Sequence, residues 1–267
     1  MTPDPEELLD LARQVALEAA ALVAEHRREG VEVTATKSSP IDVVTEADRA
    51  SEELIRRRLL DARPDDGFLG EEGESRDTAS GVTWVVDPID GTVNFLYGIP
   101  QYAVSVAARV GNHQDDTVAG VVVDVASGEC FTATRGGGAH LDGRPLRVRD
   151  VVPMSERLVA TGFHYTRPVR VQQADAAARL LGEVRDIRRL GSAALDLCAL
   201  AAGRLDAYVE EGLHDWDLAA GGLVASEAGA RVEVRPGVGG KPCVLAAPTG
   251  GFEEFATLVE QAGFLAG

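Results

Sequence analysis

The sequence predicts an α/β protein, with an α+β N-terminal half and an α/β C-terminal half. Three observations predict it. Leu8, Ala12, Val15, Ala19 and Leu22 recur at helical spacing before Gly30. Between Tyr102 and Thr134, apolar strand-like runs follow one another across short polar turns, as in an antiparallel sheet. From Leu158 onward strands and helices alternate, which implies a largely parallel or mixed sheet with helices outside. The change of rhythm divides the chain into an expected N-terminal part, residues 1–150, and a C-terminal part, residues 151–267.

The elements follow in order. Asp4-Pro5-Glu6-Glu7 starts the first helix, with Asp as N-cap, Pro in the first turn and Glu behind it. Lys37–Thr45 is polar with one proline, and reads as a plain loop or a mobile flap. Thr45 caps a helix over Glu46–Leu60, with Asp48 at the third position after it, as in a capping box. Asp48 is then either a cap or a carboxylate aimed at a site. Phe68–Gly73 is a short apolar element ending in Glu71 and Glu72 between glycines. Tyr102–Val110, Val118–Val125 and Glu129–Thr134 are strands, and Arg135–Arg144 holds turn signals. The triplet Gly136-Gly137-Gly138 does not match G-x-G-x-x-G, which argues against a dinucleotide site.

In the second half, Leu158–Gly162 and Val184–Leu190 are expected strands, and Val171–Leu181 and Ala193–Ala202 expected helices. His214-Asp215-Trp216-Asp217 opens a helix rich in small residues (Ala219, Ala220, Gly221, Gly222), which lets another backbone pack closely. Ala230–Val234 and Pro242–Ala246 are strands, and Phe252–Ala262 is the last helix. Binding in such a sheet falls at strand C-termini and helix starts. Gly191-Ser192 and Asp217 lie there.

Composition excludes several classes. The 267 residues carry a formal net charge of −17, against a general nucleic-acid binder, whose affinity rests on Lys and Arg. No apolar run reaches membrane length and no signal peptide is visible, so a cytoplasmic location without membrane contact is expected. Cys130, Cys198 and Cys243 are odd in number and show no CxxC pairing, which reads as reduced and buried.

The chemistry concentrates in Thr83–Phe95, T-W-V-V-D-P-I-D-G-T-V-N-F. An apolar run delivers Asp87 and Asp90, with Pro88 between them and Gly91-Thr92 directly after. A strand ending in Asp, a turn, then Gly-Thr gathers side-chain oxygens and free N–H groups at one spot. The oxygens suit a hard cation such as Mg²⁺, and the N–H groups suit a phosphate. Together they point to metal-assisted chemistry on a phosphate ester. The same letters also spell a surface turn. An EF-hand loop fails on spacing, because Pro88 and Ile89 stand where it needs alternating oxygen ligands. An aspartyl-phosphate site of the form D-x-D-G-T fails too, since two residues separate the carboxylates here.

Asp48, Glu71, the pair Asp87/Asp90 and Asp217 form a set that resembles the inositol monophosphatase family of Mg²⁺-dependent, lithium-sensitive phosphatases. The resemblance is carried by Trp84–Tyr97 (W-V-V-D-P-I-D-G-T-V-N-F-L-Y) and Trp216–Ala230 (W-D-L-A-A-G-G-L-V-A-S-E-A-G-A). Gly70-Glu71-Glu72 and Asp42–Asp48 support it, and Arg185–Cys198 resembles the bacterial branch. Val93 departs from the commonest pattern by replacing a second hydroxyl residue.

The resemblance implies a layered αβαβα sandwich, usually a homodimer, that hydrolyses inositol 1-phosphate or a similar phosphorylated polyol. It implies two or three Mg²⁺ ions held by Glu71, Asp87, Asp90, Asp217 and the carbonyl of Ile89. Asp48 and Thr92 would activate the attacking water, and the N–H groups of Gly91 and Thr92 would bind phosphate. Gly191, Ser192, Ala193 and Glu210 would meet the alcohol, with Asp90 also reaching a ring hydroxyl. Relatives with the same metal core act on fructose 1,6-bisphosphate, histidinol phosphate or 3′-phosphoadenosine 5′-phosphate. A reading from another class is a regulatory RNA-polymerase- or ribosome-associated binding protein that retains the fold.

Overall fold

In the computed structural model, which describes residues 3–31, 33–36, 43–111, 113 and 116–266, the chain begins with helix α1 (Pro5–Glu29). The Asp4 side chain accepts the Glu6 N–H at 3.0 Å, and Gly30 ends the helix with φ 113°. Val33–Thr36 (β1) and Val43–Thr45 (β2) form a small antiparallel pair. The expected loop or flap therefore ends in a strand, and its Lys37–Asp42 portion lies outside the described residues. Helix α2 (Glu46–Ala62) starts with the expected capping box.

Seven strands make the first sheet, in sequential order: β3 (Gly67–Gly70), β4 (Val82–Asp90), β5 (Ala103–Val110), β6 (Thr117–Asp124), β7 (Cys130–Thr134), β8 (Gly138–Leu141) and β9 (Arg144–Pro145). Only β3 and β4 pair in parallel. The turn signals over 135–144 thus flank two more strands, β8 and β9. Four and two residues are too few to display alternation. Helix α3 (Thr92–Tyr97) follows β4.

The second sheet is mixed. Its order is β11 (Asp186–Arg188), β10 (Leu158–Thr161), β12 (Ala207–Glu211), β14 (Pro242–Pro248), β13 (Ala230–Pro236). The first three run parallel and the last two pair antiparallel, as the α/β rhythm predicts. The helices are α4 (Arg167–Leu181), α5 (Ala193–Ala201), α6 (Asp215–Glu227) and α7 (Phe252–Ala262).

Alternation along each strand sorts the buried side chains into layers. Trp84, Val86, Val104 and Val106 face α1 and α2, joining Leu8, Val15, Ile55 and Leu59. Val85, Ala103, Ala107 and Val122 face α5 and α6, meeting Leu195, Cys198, Ala220 and Leu223. The far side of those helices meets Ala160, Tyr208 and Val244 of the second sheet. Its outer face is closed by Leu180 of α4 and by Phe252, Phe255 and Val259 of α7. The result is the expected five-layer αβαβα sandwich.

The middle layer is thin because its residues are small. A Cβ on Gly120 of β6 would lie 3.0 Å from the Cα of Ala220, and one on Gly221 would lie 3.1 Å from the Cα of Ala194. Backbone thus approaches backbone from β6 to α6 and from α6 to α5. Overfilling such a contact costs about 1–3 kcal/mol. Gly221→Val should therefore lower unfolding free energy by about that amount in a denaturant titration. An unchanged midpoint would show that α5 and α6 can part without loss.

Candidate active site

Strand β4 carries two carboxylates to the point where it leaves the sheet. Its pairing with β5 shifts between Asp87 and Asp90, across Pro88, which has no N–H to give. The deviation is pinned by local bonds. Asp87 Oδ1 accepts the Ile89 N–H at 3.0 Å, and the buried Ser51 hydroxyl of α2 donates to the Pro88 carbonyl at 3.1 Å. Gly91 follows with φ 96°, where a Cβ would lie 2.8 Å from the Gln101 carbonyl and 3.2 Å from that of Gly191. Only glycine fits there.

Asp90 ties the first sheet to the start of α5. Its Oδ2 accepts the Ser192 hydroxyl at 2.6 Å and the Ala194 N–H at 2.7 Å, both at the start of α5. Asn94 adds a second tie, its Nδ2 donating to the carbonyls of Gln101 at 2.8 Å and Leu190 at 2.7 Å. Asp217 arrives from α6, where its Oδ2 accepts the His214 N–H at 2.6 Å. The His214 ring stacks on Trp216 with centroids 4.8 Å apart, so it shapes the helix start, as expected. One oxygen each of Asp87, Asp90 and Asp217 lies within 4.8 Å of the others. Glu71, just past β3, shares a hydrogen bond with Asp87.

Asp48 makes the expected cap and also reaches the segment after β4. Its Oδ2 accepts the Thr45 N–H at 2.8 Å and also the Thr45 hydroxyl. Its Oδ1 accepts the Thr92 hydroxyl at 3.0 Å, and that hydroxyl also lies 3.0 Å from the Ile89 carbonyl. Asp48 therefore caps α2 while facing the Asp87–Thr92 segment.

The electrostatics are those of a site short of positive charge. Burial pushes Asp87 and Asp217 well above the usual carboxylate range, and the charges that add to it are other carboxylates. Asp90 rises to about 6 by burial, against the lowering bonds from Ser192 and Ala194. Burial raises Asp48 as well. A set of buried oxygens that repel one another fits a hard divalent cation, since the cation removes the repulsion and prefers oxygen donors.

Beside this cluster lies Glu210, from β12. Its Oε2 accepts the Tyr208 hydroxyl at 2.9 Å, and burial raises it to about 7. Gly191, Ser192 and Ala193 lead into α5 below it. Two participants escape sequence reading. Ser51 looks like any small helix residue. Asp196 is buried, and neither of its oxygens has a hydrogen-bond partner among the described residues. The signal for it was available: one acidic residue in the apolar helix A-A-L-D-L-C-A-L-A.

Comparison with known proteins agrees with this geometry. The family model for the inositol monophosphatase family matches residues 4–259. Inositol-1-monophosphatase SuhB of Mycobacterium tuberculosis is 48% identical over 266 residues, covering 92% of this chain and 91% of that protein. A protein named Nus factor SuhB from Pasteurella multocida is 40% identical over 228 residues, covering 84% of each. The solved structure of Mycobacterium tuberculosis SuhB superposes with a TM-score of 0.84 at 45% identity, covering 98% of this chain and 99% of that one. With a full-length family match laid over the converging carboxylates of β4 and α6, the chain belongs to the inositol monophosphatase family.

Proposed function

We propose that the protein is a Mg²⁺-dependent phosphomonoesterase that hydrolyses inositol 1-phosphate or a similar polyol phosphate. The observation that carries this reading is the convergence of Asp87, Asp90 and Asp217 within 4.8 Å. In this reading Glu71, Asp87, Asp90, Asp217 and the Ile89 carbonyl hold two or three ions. When bound, the ions supply a water acidic enough to attack at neutral pH and relieve charge on the departing alkoxide.

The chain's own groups do the rest. The N–H groups of Gly91 and Thr92 hold the phosphate oxygens. Asp48 Oδ1 accepts one bond, from Thr92, and keeps a second lone pair for the proton of the attacking water. Because Thr92 donates toward Asp48 or Ile89, its oxygen is left as an acceptor facing the same water. Gly191, Ser192 and Ala193 form the floor under the alcohol, Asp90 reaches a ring hydroxyl and Glu210 accepts from another. A carboxylate in that place repels a second phosphate, which sets polyol phosphates above fructose 1,6-bisphosphate. The reading includes a cytoplasmic homodimer. Three buried, unpaired cysteines suit a reducing compartment, and no helix among the described residues is long and apolar enough to cross a membrane.

The likeness to a relative named Nus factor SuhB favours one second reading, a binding protein that retains the fold. It leaves the carboxylates idle, so phosphate release in Mg²⁺ separates the two.

Hydrolysis of inositol 1-phosphate should stop in EDTA and return with Mg²⁺, and Asp90→Asn should weaken both activity and Mg²⁺ binding. Full turnover in chelator would overturn the reading. The pH dependence follows from the raised carboxylates. A carboxyl raised on folding contributes stability that is full at low pH and is lost as pH rises through its folded value, about 6 for Asp90. Mg²⁺ relieves that loss by binding the deprotonated form. The gain in Tm on adding Mg²⁺ should therefore be larger at pH 7.5 than at pH 5.0, about a unit or more either side of that value. A gain equal at both would contradict it.

Asp48→Asn retains a capping oxygen but not the charge that accepts a proton. Its kcat should fall about 10²–10⁴-fold with Mg²⁺ affinity and KM little changed. Near-normal kcat at saturating Mg²⁺ would make Asp48 a cap alone. Glu210→Ala should lower kcat/KM for inositol 1-phosphate roughly ten- to a hundredfold, the loss of one charge-assisted hydrogen bond. The preference over fructose 1,6-bisphosphate should shrink with it, and an unchanged preference would remove Glu210 from the alcohol site.

A further inference from the structure

Strands β10 and β12 run parallel in register, Ala160 beside Tyr208 and Thr161 beside Val209. Continued beyond the strands, that register places Gly162 beside Glu210 and His164 beside Gly212. The side chains follow it. A Cβ on Gly162 would lie 2.0 Å from the Glu210 carboxylate carbon, so the carboxylate occupies that space. A Cβ on Gly212 would lie 2.5 Å from Cδ2 of His164, so the imidazole occupies that one. Each side chain crosses onto the neighbouring strand's glycine. Alternation along β12 puts Glu210 on the face shared with Ala160 and Tyr208, which packs against Ala193 of α5 and Leu218 of α6, and the His164 ring lies over Gly212, two residues further on. Gly212 has φ 100°, so glycine is required there for conformation as well as for room.

The His164 ring is fixed. Its backbone N–H donates to Gln173 Oε1 at 2.8 Å, and its Nδ1 accepts the Thr166 N–H at 2.9 Å. An accepting Nδ1 leaves the ring proton on Nε2. Among the described residues Nε2–H has no partner. It is a donor held two residues along the strand direction from the acceptor Glu210, at the strand C-termini where ligands of such sheets bind.

We infer that His164 is a specificity-determining residue whose Nε2–H donates to a hydroxyl of the substrate alcohol beside the one that donates to Glu210. A hydroxyl can give and take a hydrogen bond, so an acceptor and a donor side by side match a vicinal diol. A second phosphate would meet Glu210, and an apolar alcohol would leave both groups unpaired. The ligand class is the phosphate monoester of a polyol with adjacent hydroxyls. The inference rests on the phosphatase reading above and deepens it.

The test compares inositol 1-phosphate with 4-nitrophenyl phosphate, which has no hydroxyl on its ring. His164→Asn keeps an acceptor for the Thr166 N–H but has nothing at the Nε2 position. The ratio of kcat/KM for inositol 1-phosphate over the aryl ester should fall about three- to tenfold, chiefly through KM, the worth of one neutral hydrogen bond. His164→Gln, which reaches the Nε2 position with an amide N–H, should restore most of the ratio. An equal fall on both esters in His164→Asn, or a ratio that stays at the wild-type value in both variants, would overturn the inference while leaving the phosphatase reading intact. A wild-type protein inactive on both esters in Mg²⁺ would overturn the two together.

Discussion

Everything in this molecule is arranged around carboxylates that cannot all be charged together. Asp87 and Asp90 are buried, Asp217 and Glu71 adjoin them, and Asp48, Asp196 and Glu210 stand close by. Moving an ionised carboxylate out of water costs on the order of several kcal/mol even after relaxation. Carboxylate neighbours add repulsion to that. Such a set persists only where the surrounding chain leaves it no alternative position. Three members are accordingly held by donors close in sequence. Ile89 N–H fixes Asp87, His214 N–H fixes Asp217, and Thr45 fixes Asp48. These donors lower the cost of the charge and fix where it points.

The constraint extends to the architecture. Asp90 is held by the start of α5, so the first sheet and the middle layer must stay in register to within a hydrogen-bond length. Close backbone contact supplies that rigidity. Gly120 against Ala220 and Gly221 against Ala194 leave no flexible side chain between β6, α6 and α5. Packed interiors of this kind transmit displacement rather than absorb it. A shift of α6 would therefore carry Asp217 with it. The small residues are as much a part of the site as the carboxylates, and one of them, Ala194, also donates its N–H to Asp90.

Sequence reading reached what is local and repetitive. The cap at Asp4, the box at Thr45 and Asp48, the strand and turn of W-V-V-D-P-I-D-G-T, and the small-residue face of α6 each declare themselves within about two helical turns. It also reached the layers, because alternation on β5 and helical spacing on α1 state which face is apolar. What it could not reach depends on register between distant segments. Nothing in T-G-F-H-Y-T reveals that His164 will lie over a glycine 48 positions later, since strand pairing is decided by the whole second sheet. The short strands β8 and β9 failed for a plainer reason, being too brief to show a period. Asp48 was readable only as a choice between cap and site, because its second bond, to Thr92, depends on how α2 packs beside β4.

Asp196 shows how far the same logic runs. It sits in the first turn of α5 with neither oxygen partnered among the described residues, and burial together with Glu210 and Asp90 pushes it well above the usual range, with Arg189 pulling the other way. Burying a charged carboxylate without a partner is costly, which favours its neutral form. Tyr208 donates a hydrogen bond from its hydroxyl to Glu210, which makes Glu210 the acceptor of the pair. Asp196, Glu210 with its Tyr208 donor, and the carboxylates of Asp87, Asp90 and Asp217 beyond them form a polar gradient across α5. That gradient follows from burial and spacing alone. Under the proposed function, the two ends of that gradient suit the two ends of a phosphorylated polyol.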